Sequence, residues 1–210
     1  MKRKLILLCL AAILGSAVVI GGTLAAFRTE TGQRGIAQIT TKSLSIEIQE
    51  EEQKVRLGEH VQPGDTIILS RNIVNDAEEG YALYTRVTIN KSWNRDGLDS
   101  GKIHLYMGDT ELITENSGDL AESDWLLWYQ DAEQVVLYYR KPLEPWETTS
   151  EVLTAVKLDT DADNAYAGAN MMLDFDVDAV QKIAAGDAIV SEWGVYPQID
   201  ENGYLVSVTE

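Results

Sequence analysis

The residues with the clearest potential for chemistry are two histidines, His60 and His104, which lie far apart in the sequence. A zinc protease of the His-Glu-x-x-His type needs two histidines one helical turn apart, so that both reach one metal ion. Neither histidine has such a partner, and the chain lacks the Gly-x-Ser-x-Gly elbow of serine hydrolases. A serine triad built from distant residues stays open, since its members need no fixed spacing. We predict no catalytic and no metal-binding residue, and we expect both histidines to be ordinary surface or edge residues.

A second candidate is the acidic loop that carries Asp159, Asp161 and Asp163. A calcium loop of the EF-hand type requires glycine at its sixth position and glutamate at its twelfth. Asn164 and Asn170 occupy those two positions, so the pattern fails. The loop is predicted to be a solvated turn that binds calcium loosely at most, and no other cofactor is expected.

Aromatic side chains are concentrated in one part of the sequence. They are Trp125, Trp128, Tyr129, Tyr138, Tyr139 and Trp146. Large aromatic side chains at this density typically fill a core or form cross-strand pairs, which is what we predict. An exposed surface that stacks on sugars or on a partner protein is the alternative.

The elements that position these side chains are predicted to be β-strands. Apolar and polar residues alternate along Met171–Val177, so this strand has one apolar face and one face, with its aspartates, towards water. Similar patterns predict strands at Leu44–Gln49, Thr66–Val74, Tyr81–Ile89, Ile103–Met107, Leu126–Tyr129, Val135–Tyr139, Val152–Leu158 and Tyr204–Val208. Many short strands separated by turns indicate a two-sheet sandwich. One short helix is predicted at Ala179–Ala185, with Asp178 as its N-cap and Gly186 beyond its end.

The first 26 residues have the three parts of a signal peptide. Basic residues at positions 2–4 are followed by an uncharged, largely apolar run that extends to Phe27. Small residues close the run, so cleavage is predicted between Ala26 and Phe27, with Ala25 as the alternative site. An uncleaved membrane anchor is the other interpretation, because a run of this length is also able to span about 30 Å of hydrocarbon as a helix.

The overall charge excludes one class of partner. The chain has 17 basic and 34 acidic residues and a formal net charge of −17, and the predicted signal peptide contains none of the acidic residues. Nucleic-acid binding requires a basic surface, and strong adsorption to anionic lipid is disfavoured for the same reason. The single cysteine, Cys9, leaves with the signal peptide, so the mature chain is predicted to form one domain without disulfides.

Several short motifs occur in order along the chain. They are Gly21–Phe27 at the signal junction, the Pro-Gly-Asp turn in Val61–Ile67, the strand pair Ile73–Asn75 and Tyr81–Val87, the tyrosine-rich strand and turn in Tyr138–Thr149, the segment Ala179–Gln181, and Trp193. Together they resemble the TasA/camelysin family of exported matrix proteins. One departure is Trp146, where the family pattern usually has glycine, so we expect this turn to have a different geometry.

The resemblance implies a jelly-roll sandwich and a role as a subunit, or an accessory protein, of extracellular biofilm fibres. It implies export through a dedicated signal peptidase, and partners that are further copies of the chain or related matrix subunits. In such fibres the segment after the cleavage site inserts as a strand into the next subunit. The same family includes camelysin-like surface metalloproteases, which gives an enzymatic alternative. A monomeric surface module that binds sugars or a partner is the third possibility.

The predicted organisation is a signal peptide at residues 1–26, an extension at 27–40 and an all-β, jelly-roll-like antiparallel sandwich at 41–210. The extension is polar but has apolar residues at Phe27, Ile36 and Ala37. We expect it to act as a donor strand that pairs with an open sheet edge. The protein is expected in the extracellular matrix or at the cell surface, with membrane contact only through an uncleaved signal peptide.

Overall fold

The computed structural model describes residues 27–29, 47–49, 54–57, 62–77 and 80–210. The predicted signal peptide, with Ala26, lies outside these ranges, as do Ile36 and Ala37 of the extension and His60. No helix within the described ranges has the length and apolar character that a membrane crossing requires.

Strands dominate the described residues. In chain order they are β1 (Phe27–Thr29), β2 (Glu47–Gln49), β3 (Lys54–Leu57), β4 (Thr66–Val74), β5 (Leu83–Trp93), β6 (Ile103–Met107), β7 (Thr110–Glu111), β8 (Trp125–Gln130), β9 (Gln134–Tyr139), β10 (Leu153–Leu158), β11 (Met171–Gln181), β12 (Tyr196–Ile199) and β13 (Leu205–Thr209). A short α-helix, α1 (Ala185–Trp193), lies between β11 and β12. The prediction of an all-β fold is confirmed.

The strands form two main antiparallel sheets. The first has the order β1-β11-β5-β9-β8, with β3 also paired to β11, and the second has the order β2-β4-β10-β6-β7. The chain crosses between the sheets repeatedly, from β4 to β5, from β5 to β6, from β9 to β10 and from β10 to β11. This alternation gives the jelly-roll-like sandwich that was expected. β12 and β13 form a separate hairpin.

The main core lies between the two sheets. From the first sheet it contains Val87, Ile89, Trp125, Leu137, Met171, Leu173, Phe175 and Val177, and from the second it contains Ile73, Ile103, Leu105, Leu153, Val156 and Leu158. Every second residue of β11 up to Val177 enters this core, so its predicted period of two is confirmed. The burial of these apolar side chains is the main force that holds the sheets together.

A second apolar cluster covers part of the outer face of the first sheet. It consists of Tyr84, Tyr138, Val180, Ala185, Ala188, Ile189, Trp193, Val195, Leu205 and Val208. Helix α1 and the β12–β13 hairpin supply most of these residues. The end of the sheet where β11 finishes and β5 begins is therefore buried on both faces.

The predicted helix at Ala179–Ala185 is wrong. Ala179–Gln181 continue β11 and pair with Leu83–Thr85 of β5, and the observed helix begins only at Ala185. Asp178, predicted as the N-cap, instead forms an ion pair with Arg86. Pairing in a sheet that is covered on both faces outweighs a local helix preference of a few tenths of a kcal/mol per residue, roughly.

Two further predictions about this region are wrong. Gly186 lies inside α1, and the helix ends instead at Gly194, which has a φ of 70° and donates its N–H to the Val190 carbonyl at 3.1 Å. Asp178, which the alternation places on the water-facing side of its strand, is only 5 % exposed. The covering layer of α1 is the reason.

Most of the predicted strands are observed with small shifts of their ends. Thr66–Val74 and Ile103–Met107 have the predicted bounds. β5 begins two residues later than predicted and continues to Trp93. β3 and β12 were not predicted; β12 contains Pro197, which weakens a strand pattern.

One turn contains a strained tryptophan. The N–H of Glu147 donates to the Glu144 carbonyl at 2.9 Å, which closes a turn with Pro145 in its second position and Trp146 in its third. Trp146 has a φ of 66°, and a positive φ at the third position is typical of a type II turn, where glycine is favoured. A side chain in the left-handed region costs about 1–2 kcal/mol. Trp146 therefore has a backbone conformation that suits glycine.

Candidate functional site

The strand that follows the predicted cleavage site pairs with an edge of the first sheet. β1 runs antiparallel to β11, with Phe27 opposite Ala179 and Thr29 opposite Val177. β5 occupies the other side of β11 along its whole length. The edge of β11 therefore accepts a strand from the N-terminal extension through main-chain hydrogen bonds.

Two short strands share this edge. β3 pairs with Met171–Asp174, and β1 pairs with Val177–Ala179. The β1 pairing covers three residues, whereas β5 pairs with all eleven residues of β11. Local opening requires least free energy where the fewest contacts hold a segment. From the extent of strand pairing alone, we expect β1 to detach most readily among the strands of the first sheet.

The structure tests the placement of one predicted donor residue. Phe27 is the first residue of β1, while Ile36 and Ala37 lie outside the described residues. Because β1 is antiparallel to β11, Phe27 lies at the end of the β1 pairing that is nearer to Gln181, where β11 finishes. The residue that follows the predicted cleavage site therefore lies near that end of the sandwich.

A second candidate site surrounds His104 on β6. The imidazole Nδ1 is 2.5 Å from Oε1 of Glu111 on β7, and Nε2 is 3.4 Å from Oδ2 of Asp159 in the loop after β10. The Tyr106 hydroxyl lies 3.5 Å from Oε2 of Glu111, and Lys102 Nζ donates to Oδ2 of Asp159 at 3.0 Å. His104 is therefore not an isolated edge residue: its ring lies between two carboxylates that each have another partner.

The acidic loop is ordered by hydrogen bonds to its own backbone. Asp159 Oδ1 accepts the N–H of Asp161 at 2.8 Å, and Asp163 Oδ1 accepts the N–H of Ala165 at 2.8 Å. The Asp161 N–H, followed by the Lys102 ammonium, lowers the pKa of Asp159 to about 2. Among the described residues, no group of three or more histidine, cysteine, aspartate or glutamate side chains is placed to hold a metal ion. Loose calcium binding remains a prediction.

A small pocket opens beside the histidine cluster, with a volume of about 110 Å³. Its lining includes Lys91, which is 6 % exposed and donates from Nζ to the Ile103 carbonyl at 3.2 Å. Burial lowers the pKa of Lys91, and the nearby carboxylates of Asp131, Glu111 and Asp99 oppose that effect.

Sequence reasoning missed this buried lysine, although a signal for it exists. Val87 and Ile89 are inward-facing residues of β5, so Lys91 takes the next inward position. The predicted strand stops at Ile89, so the prediction places the lysine outside the strand. If the alternation of inward-facing residues is extended by one further position, it predicts that the Lys91 ammonium group lies in the core.

An ion pair on the outer face of the first sheet was also not predicted. Arg86 and Asp178 are directly opposite on β5 and β11 and bind each other through side chains. The guanidinium carbon of Arg86 lies 5.5 Å from the Trp193 ring centre, within the range of a cation–π contact. The pair thus connects α1 to the sheet that it covers.

Three of the six clustered aromatic residues lie in the core, where most of them were predicted to be. Trp125, Tyr138 and Tyr139 are buried, whereas Tyr129 is 42 % and Trp146 62 % exposed. Of the six clustered aromatic residues, only these two and the half-buried Trp128 offer a ring to an external partner, so the stacking alternative is restricted to these three.

The contacts of His104 stabilise the β6–β7 hairpin against the loop after β10, whereas the pairing of β1 with β11 completes a sheet.

Comparison with known proteins gives no match: no family model, no curated protein and no solved structure is significantly similar to this chain. The geometry of the two sites therefore carries the functional argument. The edge of β11 is the stronger candidate, because it joins the predicted processing site to the fold.

Proposed function

We propose that this chain is an exported structural protein of the extracellular matrix or cell surface, whose copies join by donation of the N-terminal strand. In the single chain, β1 occupies the β11 edge of its own sheet. In the assembly, β1 of one copy occupies the same edge of the next copy. The observation that carries the proposal is the position of β1, which starts at the predicted cleavage site and completes the sheet.

The connection between β1 and the rest of the domain is long enough for this exchange. Residues 30–46 separate β1 from β2. Fully extended, a segment of this length spans up to roughly 55 Å, which exceeds the distance across a small domain. Exchange of an identical strand forms the same contacts in the neighbour, so it costs little free energy.

The register adds a charge match at the centre of the β1 pairing. Positions 28 and 178 are opposite each other, and the residues there are Arg28 and Asp178. Since the rest of the chain is strongly acidic, a basic residue in the donor strand also reduces the repulsion between copies.

A disulfide placed across β1 and β11 tests the proposal. The mature chain lacks cysteine, so a Thr29→Cys/Val177→Cys variant has one designed pair at facing positions. Oxidation of the dilute monomer should lock β1 onto its own chain and prevent fibres in electron micrographs, and reduction should restore them. Oxidation after assembly should instead produce a ladder of covalent oligomers on a non-reducing gel.

A matched control uses a Thr88→Cys/Asp176→Cys variant, which links β11 to β5 within one chain. This variant should assemble normally and should give monomers on the gel after oxidation. Fibres from the locked Thr29→Cys/Val177→Cys monomer would refute strand donation. Casein cleavage that a chelator abolishes would instead favour the camelysin-like alternative.

A further inference from the structure

One end of the sandwich exposes two large apolar side chains. Trp146 is 62 % and Ile183 63 % exposed. Both belong to turns that are tied to the sheets at this end: the N–H of Trp146 donates to the Asn75 carbonyl at 2.6 Å, and the N–H of Lys182 donates to the Ala82 carbonyl at 2.8 Å. We call Trp146 and Ile183 the apolar end.

Further contacts show that the two turns are neighbours. Leu143 exchanges backbone hydrogen bonds with Leu83, and the Asn75 amide donates to the Leu143 carbonyl at 3.0 Å. Lys182 Nζ lies 4.0 Å from Oε1 of Glu144, two residues before Trp146. The turns that carry the apolar end therefore form one continuous surface.

Both turns contain a strained residue. Trp146 has a φ of 66° and Ala184, next to Ile183, a φ of 61°; among the described residues these are the non-glycine positions with positive φ. Each costs about 1–2 kcal/mol. Because the Trp146 side chain is exposed, its burial within the domain offsets little of this strain energy. Strain combined with exposure indicates a surface that contacts something outside the domain.

The point at which the N-terminal chain joins the domain identifies the contact. Phe27 lies opposite Ala179, four residues before Ile183, which corresponds to about 13 Å along a strand. The chain upstream of Phe27 is joined to the domain at this point, and it contains the uncharged run that starts at Leu5. A sequence suited to the hydrocarbon of a membrane is therefore attached to the end of the domain that carries the two exposed apolar residues.

We propose that the apolar end rests on the lipid surface while residues 1–26 still anchor the chain in a membrane. This inference rests on the signal-peptide part of the proposed function. Tryptophan is favoured at the boundary between lipid and water, because its ring is apolar and its N–H is polar. Two side chains are too few for a stable protein interface, but they suffice for a surface that a short tether holds in place.

The contact depends on the tether. Glu144 and Glu147 lie beside Trp146, and the chain as a whole is acidic, so the free domain has no electrostatic attraction to anionic lipid. A short link raises the effective concentration of the apolar end at the bilayer, and cleavage after Ala26 removes that advantage. Cleavage thus releases both the anchor and the lipid contact in one step.

The test measures the surroundings of single sites in the full chain. In a Cys9→Ser background, Trp146→Cys or Ile183→Cys is labelled with an environment-sensitive dye. The labelled chain is reconstituted into vesicles of phosphatidylcholine with a minor fraction of phosphatidylglycerol. The dye emission at either position should shift to shorter wavelength, brighten severalfold and be quenched by lipids that carry a quencher near the headgroup.

The matched control is Ile68→Cys, an 80 % exposed apolar position on β4. Ile68 is six residues from Val74, whose partner Thr148 belongs to the Trp146 turn, so it lies about 20 Å from the apolar end. Its dye emission should stay that of a water-exposed site. A domain that begins at Phe27 should show no shift at any position.

The outcomes separate this inference from the proposed function. If the chain floats with the vesicles but dyes at 146 and 183 behave like the dye at 68, the lipid contact is refuted and the export proposal stands. If the full chain does not float, residues 1–26 are no anchor, and the inference fails together with the signal-peptide part of the proposed function. A shift that needs high protein concentration but no vesicles would mean self-association and would overturn the inference.

Discussion

Replacement of Asp159 by asparagine tests the reasoning about the histidine cluster. The variant keeps an oxygen that accepts the Asp161 N–H, but it loses the charge that faces Lys102 and His104. The pKa of Asp159 is lowered from 3.8 to about 2, a difference that corresponds to at most about 2.5 kcal/mol of stability at neutral pH. The carboxylate is 22 % exposed, so solvent screening reduces the expected loss to about 1–2 kcal/mol.

The lowered pKa of Asp159 determines how the stability difference between the wild type and the variant changes with pH. A carboxylate with a lowered pKa in the folded state contributes stability above its unfolded pKa and loses it as the pH falls through its folded pKa. The free energies of unfolding of the wild type and the Asp159→Asn variant should therefore differ above pH 3.8, and they should converge as the pH approaches about 2. Urea denaturation followed by circular dichroism, repeated over this range, measures the difference.

The same loop offers a control in Asp161→Asn, since the Asp161 side chain is exposed. This variant should change the free energy of unfolding by less than about 0.5 kcal/mol. A loss in Asp159→Asn that persists unchanged at the acid end would mean that the residue acts through packing and not through charge. Equal stability of the two variants at neutral pH would refute the importance of the ion pairs.

Two further substitutions test individual features of the fold. Trp146→Gly should raise the free energy of unfolding by about 0.5–1 kcal/mol in urea denaturation, because relief of the positive-φ strain exceeds the entropy cost of glycine. Trp146→Ala keeps the strained Cβ and should show no such gain; equal gains in both variants would refute the strain argument. Lys91→Met should remove a dependence of the free energy of unfolding on pH. Burial lowers the pKa of Lys91 in the folded state. The wild type should therefore gain stability relative to the variant as the pH rises from this lowered pKa towards 10.5. A difference between the two proteins that stays constant over this alkaline range would contradict the buried ammonium.

Local alternation was enough to predict most strands of the sandwich. Thr66–Val74 and Met171–Val177 have one apolar side, and the structure places those sides in the core. The sequence does not predict the continuation of β11, because apolar and polar residues do not alternate along Ala179–Gln181. The outer face of the strand is covered by α1 there, so it does not need polar residues. Burial on both faces removes the pattern on which a strand prediction depends.

The histidine cluster depends on tertiary register that the sequence does not display. Glu111 reaches His104 because Gly108 allows the tight β6–β7 hairpin, in which Tyr106 faces Glu111. Asp159 joins them because β10 pairs with β6, which places Lys157 opposite His104. Spacing along the chain contains neither relation, so the histidine and the acidic loop could only be considered separately.

The double cover of the first sheet has a kinetic consequence. Where β11 finishes and β5 begins, the amide hydrogens are shielded by the main core on one side and by α1 with the β12–β13 hairpin on the other. They should exchange with solvent only on global unfolding, whereas β1 amides should exchange through local opening. A copy that has released β1 would therefore keep a fully formed β11, and the rate of joining would be set by encounter between copies and not by refolding of the acceptor.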